Sequence, residues 1–378
     1  MKNIKLLNVD DSAFMRKLLK DTFSQDPDFS LIDQAANGKQ ALEMLKKEIY
    51  NVVTLDIEMP IMDGIETLKE IMKTSPLPVV MISSAGSKYT NITFDALELG
   101  AVDFIAKPSN IFTIENDELE QIRNTVKSAA MSNRRIIVTK AKQKKEEGKL
   151  SAPEPAEYKK LRIRFGYENA SKQANKQPIP RQYTEDIDNL IVIGTSTGGP
   201  RALQEVLPNI SPDINAPVLI VQHMPKGFTK SLADRLDNIS QIRVMEAEDG
   251  QYIKNGCAYI APGGFHLRIR ENVGRKFKIE LDGNKNVSGH RPSVDALFES
   301  VSNCKVKKVI AVIMTGMGSD GSKGLADIKS NLNSVTIAED ESTCVVYGMP
   351  KSAVMTGKVD KIIPLVGISH EINRLMGV

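Results

Sequence analysis

The sequence is poor in cysteine, in long apolar runs and in net charge, and each shortage excludes a class of protein. Its 378 residues include three cysteines, Cys257, Cys304 and Cys344, which are odd in number and widely spaced. A disulfide framework and a Cys-x-x-Cys zinc site are therefore excluded, and a reducing cytoplasm is the simplest compartment. No apolar run approaches the roughly 18 residues of a membrane-spanning helix, and residues 1–11 contain no cleavable apolar stretch. We expect a soluble, unsecreted, cytoplasmic protein.

The charges are nearly balanced. Fifty Lys and Arg stand against 47 Asp and Glu, and the formal net charge of +3 is too small to make nucleic acid or a membrane surface the default partner. Hydrophobic residues form 41% of the chain and charged residues 26%, which argues against wholesale disorder and fibrous repeats. The length is about 2.5 times that of a typical domain, so it predicts two domains and connecting material.

From residue 4 to about 130, short apolar runs alternate with amphipathic stretches of helical length. Because each crossover must travel back before the next strand can run the same way, this order predicts a parallel sheet with helices on both faces. Ligands then gather at the carboxyl ends of the strands. The predicted strands are 4–9, 31–35, 52–55, 79–82 and 102–105, and the predicted helices are 13–23, 38–47, 63–73, 91–99 and 117–131.

The alternation stops after about residue 131, where Lys, Glu, Pro and Gln dominate. Residues 134–164 hold eleven Lys or Arg against four Glu, a composition typical of a solvated, self-repelling linker. A basic stretch also suits nucleic acid, but this one has little aromatic interleaving and no readable helix-turn-helix, so the linker interpretation is favoured. The predicted domains are 1–130 and 187–378, joined by a linker at 131–186.

A second alternating region begins near residue 189. Its predicted strands are 190–193, 217–221 and 309–313, and its predicted helices are 201–207, 230–236, 293–301 and 322–330, with an amphipathic stretch at 370–376. Residues 241–282 alternate with a period of two and are interrupted by turn pairs at 255–256, 263–264 and 282–283, which predicts hairpins. The expected fold class is α/β: two doubly wound parallel-sheet domains, the second Rossmann-like with an antiparallel hairpin insertion.

Acidic residues follow two predicted strands of the first domain. Asp10 and Asp11 close the first strand and Asp56 closes the third, so parallel topology brings three carboxylates to one sheet edge, where they repel one another without a cation. A hard dication with oxygen ligands, Mg²⁺ above all, would relieve the repulsion. Ser83 and Lys107 end the fourth and fifth strands and offer a hydroxyl and an ammonium to anionic oxygens. A single strand-end Asp is more often a helix cap, but five such positions on one edge argue against coincidence.

These segments resemble the receiver domain of bacterial response regulators over about residues 1–125. The matching segments are Val9-Asp10-Asp11, Asp56-Ile57-Glu58-Met59-Pro60, Ser83-Ser84 and Lys107-Pro108. The resemblance implies a flavodoxin-like fold in which Asp56 accepts a phosphoryl group from a phosphohistidine of a sensor kinase. It further implies that Mg²⁺ is bound by Asp10, Asp11, Asp56 and the main chain of Glu58, that Ser83 and Lys107 grip phosphoryl oxygens, and that Phe104 is the moving aromatic residue.

A second set of candidate residues starts at the turn Gly194-Thr195-Ser196-Thr197-Gly198-Gly199-Pro200. Its small residues allow a sharp strand-to-helix turn that lifts Ser196 Oγ clear of the sheet, as in a Gly-x-Ser-x-Gly nucleophile elbow. The backbone N–H groups of the turn, that of Thr197 among them, and the helix dipole are suited to stabilise an oxyanion. A dinucleotide-binding loop is the weaker interpretation, because Ser196 stands where a glycine should admit the pyrophosphate and the next strand ends in Gln222-His223 instead of an acid.

The serine needs a base, and the candidates are His223, His266, His290 and His370. His223 follows strand 217–221 and so shares the sheet edge with Ser196, which favours it, with His290 as the alternative. Asp320 lies in a glycine-rich turn after strand 309–313 and is the candidate acid that orients the base. Alone, Asp320 reads equally well as a helix N-cap, but its place on the same edge favours a Ser-His-Asp triad. The chain order Ser, His, Asp differs from that of α/β-hydrolases and indicates another lineage.

The second domain resembles the chemotaxis protein-glutamate methylesterase family. The matching segments are Gly194 to Pro200, Gln222-His223-Met224, His290-Arg291-Pro292-Ser293-Val294-Asp295 and Thr315-Gly316-Met317-Gly318-Ser319-Asp320-Gly321. The resemblance implies hydrolysis of γ-glutamyl methyl esters on chemoreceptors, with release of methanol, and deamidation of particular receptor glutamines. It implies that Met317 lends a backbone N–H to the oxyanion site, that the esterase needs no cofactor, and that the partners are methyl-accepting chemoreceptors and a chemotaxis histidine kinase.

Tethering a phosphate-sensing domain to a hydrolase predicts control: the unphosphorylated first domain covers the catalytic edge, and phosphorylation of Asp56 releases it. Two other functions stay open. A DNA-binding response regulator would use the basic linker as its contact surface, and a noncatalytic adaptor would keep the receiver while tolerating loss of the triad residues. For the hydrolase, neither nucleic-acid binding nor direct membrane insertion is expected.

Overall fold

The structure, a computed structural model, describes residues 3–84, 87–108, 116–132 and 183–378. Residue contacts divide the chain into two units, 1–153 and 154–378, each with its own main sheet. The linker predicted at 131–186 lies outside the described residues, apart from 131–132 and 183–186. Its boundaries therefore stay a prediction.

The first unit is built on a five-stranded parallel sheet in the order β2-β1-β3-β4-β5, the order of a flavodoxin-like fold. All the predicted strands and helices are present, with ends that differ by a few residues. They are β1 (Ile4–Val9), α1 (Ala13–Ser24), β2 (Phe29–Ala35), α2 (Gly38–Leu45), β3 (Val52–Asp56), α3 (Gly64–Thr74), β4 (Val79–Ser83), α4 (Ser87–Leu99), β5 (Asp103–Ala106) and α5 (Asn116–Ala130).

Local side-chain chemistry fixes where the first helices begin. Ser12, Asn37 and Asp63 precede α1, α2 and α3, and each side chain accepts a hydrogen bond from a main-chain N–H in the first turn of its helix. Strands β3 and β4 are buried along their whole length, as expected for parallel strands covered by helices on both faces.

The second unit contains a seven-stranded parallel sheet in the order β14-β13-β12-β6-β7-β9-β8 and a separate antiparallel pair, β10-β11. The fold class is therefore confirmed. The strands are β6 (Asn189–Thr195), β7 (Val218–Gln222), β8 (Arg243–Glu246), β9 (Cys257–Ile260), β10 (His266–Asn272), β11 (Lys276–Asp282), β12 (Lys308–Ile313), β13 (Ser334–Glu339) and β14 (Lys361–Ile363). The helices are α6 (Gly199–Val206), α7 (Thr229–Ile239), α8 (Val294–Ser302), α9 (Ser322–Asn331), α10 (Met349–Met355) and α11 (Leu365–Met376), with a short 3₁₀ helix at Leu207–Asn209.

Several hairpins were predicted in residues 241–282, but this described segment of the structure contains one, formed by β10 and β11. Strands β8 and β9 pair in parallel within the main sheet, so the turn at 255–256 joins no hairpin. Among the strands in the described part of the unit, β10 and β11 alone pair antiparallel, around residues 273–275, and they bury Leu267 and Phe277 in the core. A period of two indicates a strand with one buried face, but it does not identify the partner strand or its direction.

The described parts of the chain contain no helix that is both long and apolar enough to cross a membrane. Cys257, Cys304 and Cys344 are all buried free thiols.

The order of the seven-stranded sheet decides where its functional residues meet. Strand β6 lies between β12 and β7 and pairs in parallel with both. The carboxyl ends of these three strands therefore lie side by side, and the segments that follow them carry Ser196, His223 and the turn that includes Asp320.

Candidate active site and phosphoryl-acceptor site

Backbone hydrogen bonds continue past the strand ends and hold the three segments together. The Ser196 N–H donates to the carbonyl oxygen of Thr315 (3.0 Å), and the His223 N–H donates to that of Thr195 (3.1 Å). The Thr195 hydroxyl also donates to Thr315 O (3.1 Å). Main-chain pairing, not side-chain attraction alone, thus fixes the relative positions of the serine and histidine backbones.

Gln222 braces the same corner and was not singled out as a site residue from the sequence. Its buried Nε2 donates to the carbonyl oxygens of both Ser196 and His223, each at 3.0 Å. A Cβ at position 199 would lie 2.0 Å from Gln222 Oε1 and 2.4 Å from Thr195 Oγ1, so this position admits only glycine. The amide side chain and the glycine together set the turn that presents Ser196.

His223 and Asp320 form the hydrogen-bonded pair that the sequence predicts. His223 Nε2 lies 2.7 Å from Asp320 Oδ2, and both side chains are nearly inaccessible to solvent. The other ring nitrogen, Nδ1, is buried and has no hydrogen-bond partner within the described residues. The Ser196 hydroxyl, on the neighbouring strand end, makes no hydrogen bond to His223 in this structure. Catalytic hydrogen bonds in unliganded sites are often formed only when substrate binds.

The carboxylate of Asp320 is held by the start of helix α8. Ser293 Oγ and the Asp295 N–H donate to Oδ1 (2.8 and 3.0 Å), and the Val294 N–H donates to Oδ2 (2.7 Å). Burial by itself would raise the pKa of Asp320, but these donors and His223 outweigh it and lower the pKa. The N-cap of the helix that follows, α9, is Gly321, so Asp320 does not cap its own helix. Its charge is instead stabilised by the N-terminus of another.

Ser293 and His266 extend this network; Ser293 was not predicted as a site residue, and His266 was considered only as a candidate base. The Ser293 side chain also caps α8 by accepting the N–H of Ala296 (3.3 Å), and its own N–H donates to His266 Nδ1 (3.2 Å). His266 Nε2 lies 3.1 Å from the carbonyl oxygen of Lys285, which assigns the ring proton to Nε2. The sequence signal that could have identified Ser293 is the segment 290–295, because it contains the N-cap of α8.

The candidate oxyanion donors lie on two turns in contact. The Thr315 hydroxyl donates to the carbonyl oxygen of Thr197 (2.9 Å). A Cβ at position 316 would lie 2.7 Å from Ser196 Cβ, so the glycine permits the close approach of the two turns. Within the described residues, neither the Thr197 N–H nor the Met317 N–H donates to an acceptor, and both are thus available to a ligand.

His290, the alternative base, packs on the preferred one. The two imidazole rings stack with centroids 3.8 Å apart and planes 12° from parallel. Burial, together with the proximity of His223, lowers the pKa of His290 to about 3. His370 is exposed on α11.

Glu339 is a buried acid that supports the turn after β12. It accepts the Thr315 N–H on Oε2 (2.8 Å) and the Thr343 hydroxyl on Oε1 (3.0 Å). Complete burial raises the pKa of Glu339 to about 7, against the opposing effect of these hydrogen bonds. Glu339 is the last residue of β13, and no motif in the sequence around it predicts this supporting role.

The first unit gathers its acidic residues as predicted. One carboxylate oxygen from each of Asp10, Asp11 and Asp56 lies within 4.8 Å of the others. Lys107 Nζ is 2.7 Å from Asp56 Oδ2 and 3.4 Å from Asp10 Oδ2. Burial raises the pKa of Asp56 to about 6, with the charge of Asp10 adding to the effect and Lys107 opposing it. This edge is suited to bind a cation and an anionic group together.

The remaining predicted residues of this site occupy the same edge with different exposure. Ser83 is buried, and its hydroxyl accepts a hydrogen bond from Thr93 Oγ1 (2.9 Å). Phe104 is buried and meets Phe94 edge to face, with ring centroids 6.3 Å apart. Glu58, two residues after Asp56, is exposed.

Both sites lie in segments that match known families. A family model described as CheB methylesterase matches residues 191–372, and one described as response regulator receiver domain matches residues 6–117. A relative from Geobacillus kaustophilus, named protein-glutamate methylesterase/protein-glutamine glutaminase, is 45% identical over 378 residues and spans 100% of both chains. The chain belongs to the CheB methylesterase family.

Other members of the CheB family are similarly close. A Bacillus subtilis relative with the same name is 43% identical over 360 residues, covering 95% of this chain and 94% of its own. Among solved structures, the catalytic domain of Thermotoga maritima CheB methylesterase is 46% identical and covers 49% of this chain and 97% of its own, with a TM-score of 0.48. Because the similarity to CheB methylesterases extends over the full length of the chain, the DNA-binding and adaptor alternatives have no support. The basic stretch 134–164 lies outside the described residues.

Proposed function

We propose that this chain is a cytoplasmic protein-glutamate methylesterase and protein-glutamine glutaminase of chemotaxis, controlled by phosphorylation. Its substrates are γ-glutamyl methyl esters and particular glutamines of chemoreceptors, and its products are glutamate with methanol or ammonia. The observation that carries this proposal is the 2.7 Å pair between His223 Nε2 and Asp320 Oδ2 on the strand end next to Ser196. Identity of 45% over the whole chain to a protein of this name supports it.

In this proposal each residue of the triad has a separate role. Ser196 Oγ attacks the ester carbonyl carbon while its proton passes to His223 Nδ1, since Nε2 is already engaged by Asp320. The negative charge on the carbonyl oxygen is stabilised by the N–H groups of Thr197 and Met317. Collapse of the tetrahedral intermediate returns the proton to the methoxy oxygen and releases methanol. Water, deprotonated by His223, then hydrolyses the acyl-enzyme to glutamate and regenerates Ser196.

The hydrogen bonds around Asp320 select which ring nitrogen of His223 acts as the general base. An ionised Asp320 accepts a hydrogen bond from the Nε2–H of His223 and so leaves Nδ1 as the unprotonated base. General-base assistance is typically worth about 10²- to 10⁴-fold in rate, and each oxyanion donor about 3 to 4 kcal/mol. The main-chain donors of α8 hold the Asp320 carboxylate in place, so the orientation of the acid is set before substrate binds.

In the receiver domain, Asp56 would accept the phosphoryl group from a phosphohistidine of a chemotaxis histidine kinase. Three clustered carboxylates fit a hard dication, and Asp10 Oδ2 is a buried atom with no hydrogen-bond partner in the described part of the chain. Asp10, Asp11, Asp56 and the main chain of Glu58 would hold Mg²⁺, which neutralises charge at the acceptor. Lys107 and Ser83 would bind phosphoryl oxygens, and Phe104 would move on phosphorylation.

The test is methanol release from methyl-esterified chemoreceptors by the full-length chain. Ser196→Ala removes the nucleophile and should lower the rate by about 10³-fold or more without lowering the unfolding temperature. Ser330→Ala, an exposed serine on α9, is the matched control and should keep the wild-type rate. Full activity of Ser196→Ala would remove this serine from the mechanism and the proposed function with it.

A further inference from the structure

The stacking partner of His223 has no part in the proton transfers proposed above. His290 faces the base over the whole ring, at 3.8 Å between centroids and 12° between planes. One hydrogen bond from Nε2 to Asp320 leaves the His223 ring able to rotate about the axis of that bond. A flat group against one face of the ring removes this freedom and so fixes the direction of Nδ1.

The loop that carries His290 is anchored independently of His223. Residues 287 and 290 exchange two backbone hydrogen bonds, of 3.1 and 3.0 Å, across a tight turn. The next residue, Arg291, donates from Nη1 to the carbonyl oxygens of Gly283 and Asn284, both at 2.8 Å. Ser288 Oγ donates to Asp295 Oδ2 (2.9 Å), which joins the turn to α8. These hydrogen bonds hold the loop, and with it the His290 ring, in place without any contribution from His223.

We propose that His290 is a positioning residue for catalysis: its ring, stacked on His223, holds the imidazole in the orientation that directs Nδ1 towards Ser196. This inference rests on the proposed function of the Ser196 site and deepens it. His290 acts through His223, and the geometry gives it no bond to the nucleophile.

The role requires a ring without charge, because a second cation would oppose the imidazolium that forms on His223 during acylation. The charged or titratable groups that face His290 are His223 itself and Asp320. Burial and the neighbouring His223 lower the pKa of His290 to about 3, so the ring is neutral at the pH of the cytoplasm. A neutral aromatic ring of another kind should then serve nearly as well.

The experiment compares His290→Ala with His290→Phe in the full-length chain, on methyl-esterified chemoreceptors. Because misplacement of a catalytic group by about 1 Å can cost 10²-fold in rate, His290→Ala should lower kcat by about 10- to 100-fold and leave KM within about threefold. His290→Phe keeps a flat ring and should stay within about threefold of the wild type. His370→Ala removes an exposed histidine of α11 and is the matched control.

Each possible result of this comparison either supports or overturns the positioning role of His290. A wild-type kcat in His290→Ala, or a His290→Phe enzyme as slow as His290→Ala, would overturn the positioning role. A rise in KM at constant kcat would assign His290 to substrate binding and overturn it as well. The proposed function fails separately, if the wild type and Ser196→Ala release methanol at the same rate.

A second measurement does not depend on activity. The ring current of a stacked imidazole shifts the carbon-bound protons of His223 upfield in the NMR spectrum of the folded chain. This shift should disappear in His290→Ala and persist in His290→Phe. Unchanged His223 resonances in His290→Ala would show that the rings do not stack in solution and would contradict the inference.

Discussion

At the scale of single residues, the esterase site depends on side chains that bind main-chain groups. Asp320 is stabilised by the first N–H groups of α8, and Gln222 joins the carbonyl groups of Ser196 and His223. Such residues do not belong to any sequence pattern for hydrolases, since only the fold brings them to the site. The sequence therefore predicted Ser196, His223 and Asp320 but not the groups that orient them.

Ser293 provides a test of this support. Ser293→Ala removes a hydrogen bond to Asp320 Oδ1 and the cap of α8, so we expect the free energy of unfolding to fall by about 1 to 2 kcal/mol and kcat by about tenfold. Methanol release without a phosphodonor and thermal unfolding measure the two effects. Ser12→Ala removes the cap of α1 in the same way and should affect stability alone. An unchanged kcat in Ser293→Ala would show that the backbone donors suffice.

Glu339 predicts a pH dependence of stability. Its pKa of about 7 in the folded chain exceeds the ordinary 4.5, so between these values the folded state binds more protons than the unfolded state, and stability falls as pH rises. Glu339→Gln removes this dependence while keeping an acceptor for the Thr315 N–H. We expect Glu339→Gln to be more stable than the wild type at pH 8, by on the order of 1 to 3 kcal/mol, and about equal at pH 4.5. Unfolding by urea across this range is the measurement, with Glu341→Gln, an exposed neighbour, as control.

At the scale of elements, the strands and helices of the first unit were predicted with ends that differ by a few residues, whereas β13, β14 and α10 of the second unit were not predicted. Strands β1 and β3 are mostly apolar and almost wholly buried, which favours a parallel strand covered by helices on both faces. Strand β8 has one buried face, whereas β9 is buried along its whole length. Their parallel pairing depends on the connection through β7 and α7, which the residues of the two strands do not specify. The short edge strand β14 and helix α10 have too few residues for a periodic signal.

The close contact between the turns that carry Ser196 and Gly316 can be tested by replacing Gly316. Gly316→Ala places a methyl group 2.7 Å from Ser196 Cβ and 2.4 Å from Met349 Sδ, so the two turns must separate. We expect kcat to fall by about 10²-fold, because the oxyanion donors and the nucleophile move apart. Gly283→Ala meets only Phe265, at 3.5 Å, and should behave like the wild type. Equal kcat values in the two variants would show that the turns are free to shift without loss.

At the scale of the whole molecule, two units with separate sheets are joined in one chain, and we expect phosphorylation of the receiver to control the rate of the esterase. We expect a small-molecule phosphodonor with Mg²⁺ to raise methanol release by the full-length chain, by about tenfold, since coupling free energies are commonly 1 to 3 kcal/mol. Asp56→Asn should abolish the increase and keep the basal rate. Asp21→Asn, an exposed residue of α1, should respond like the wild type. Activation of Asp56→Asn by the phosphodonor would contradict phosphoryl transfer to this residue.

The pairing of His223 Nε2 with Asp320 has a consequence for covalent inhibitors. A reactive haloketone shaped like the glutamyl ester would meet the ring at the nitrogen nearest the main chain, and peptide mapping should find the adduct on that atom alone. Reagents designed for hydrolases that expose the outer nitrogen of their histidine would approach this enzyme from the wrong side of the ring.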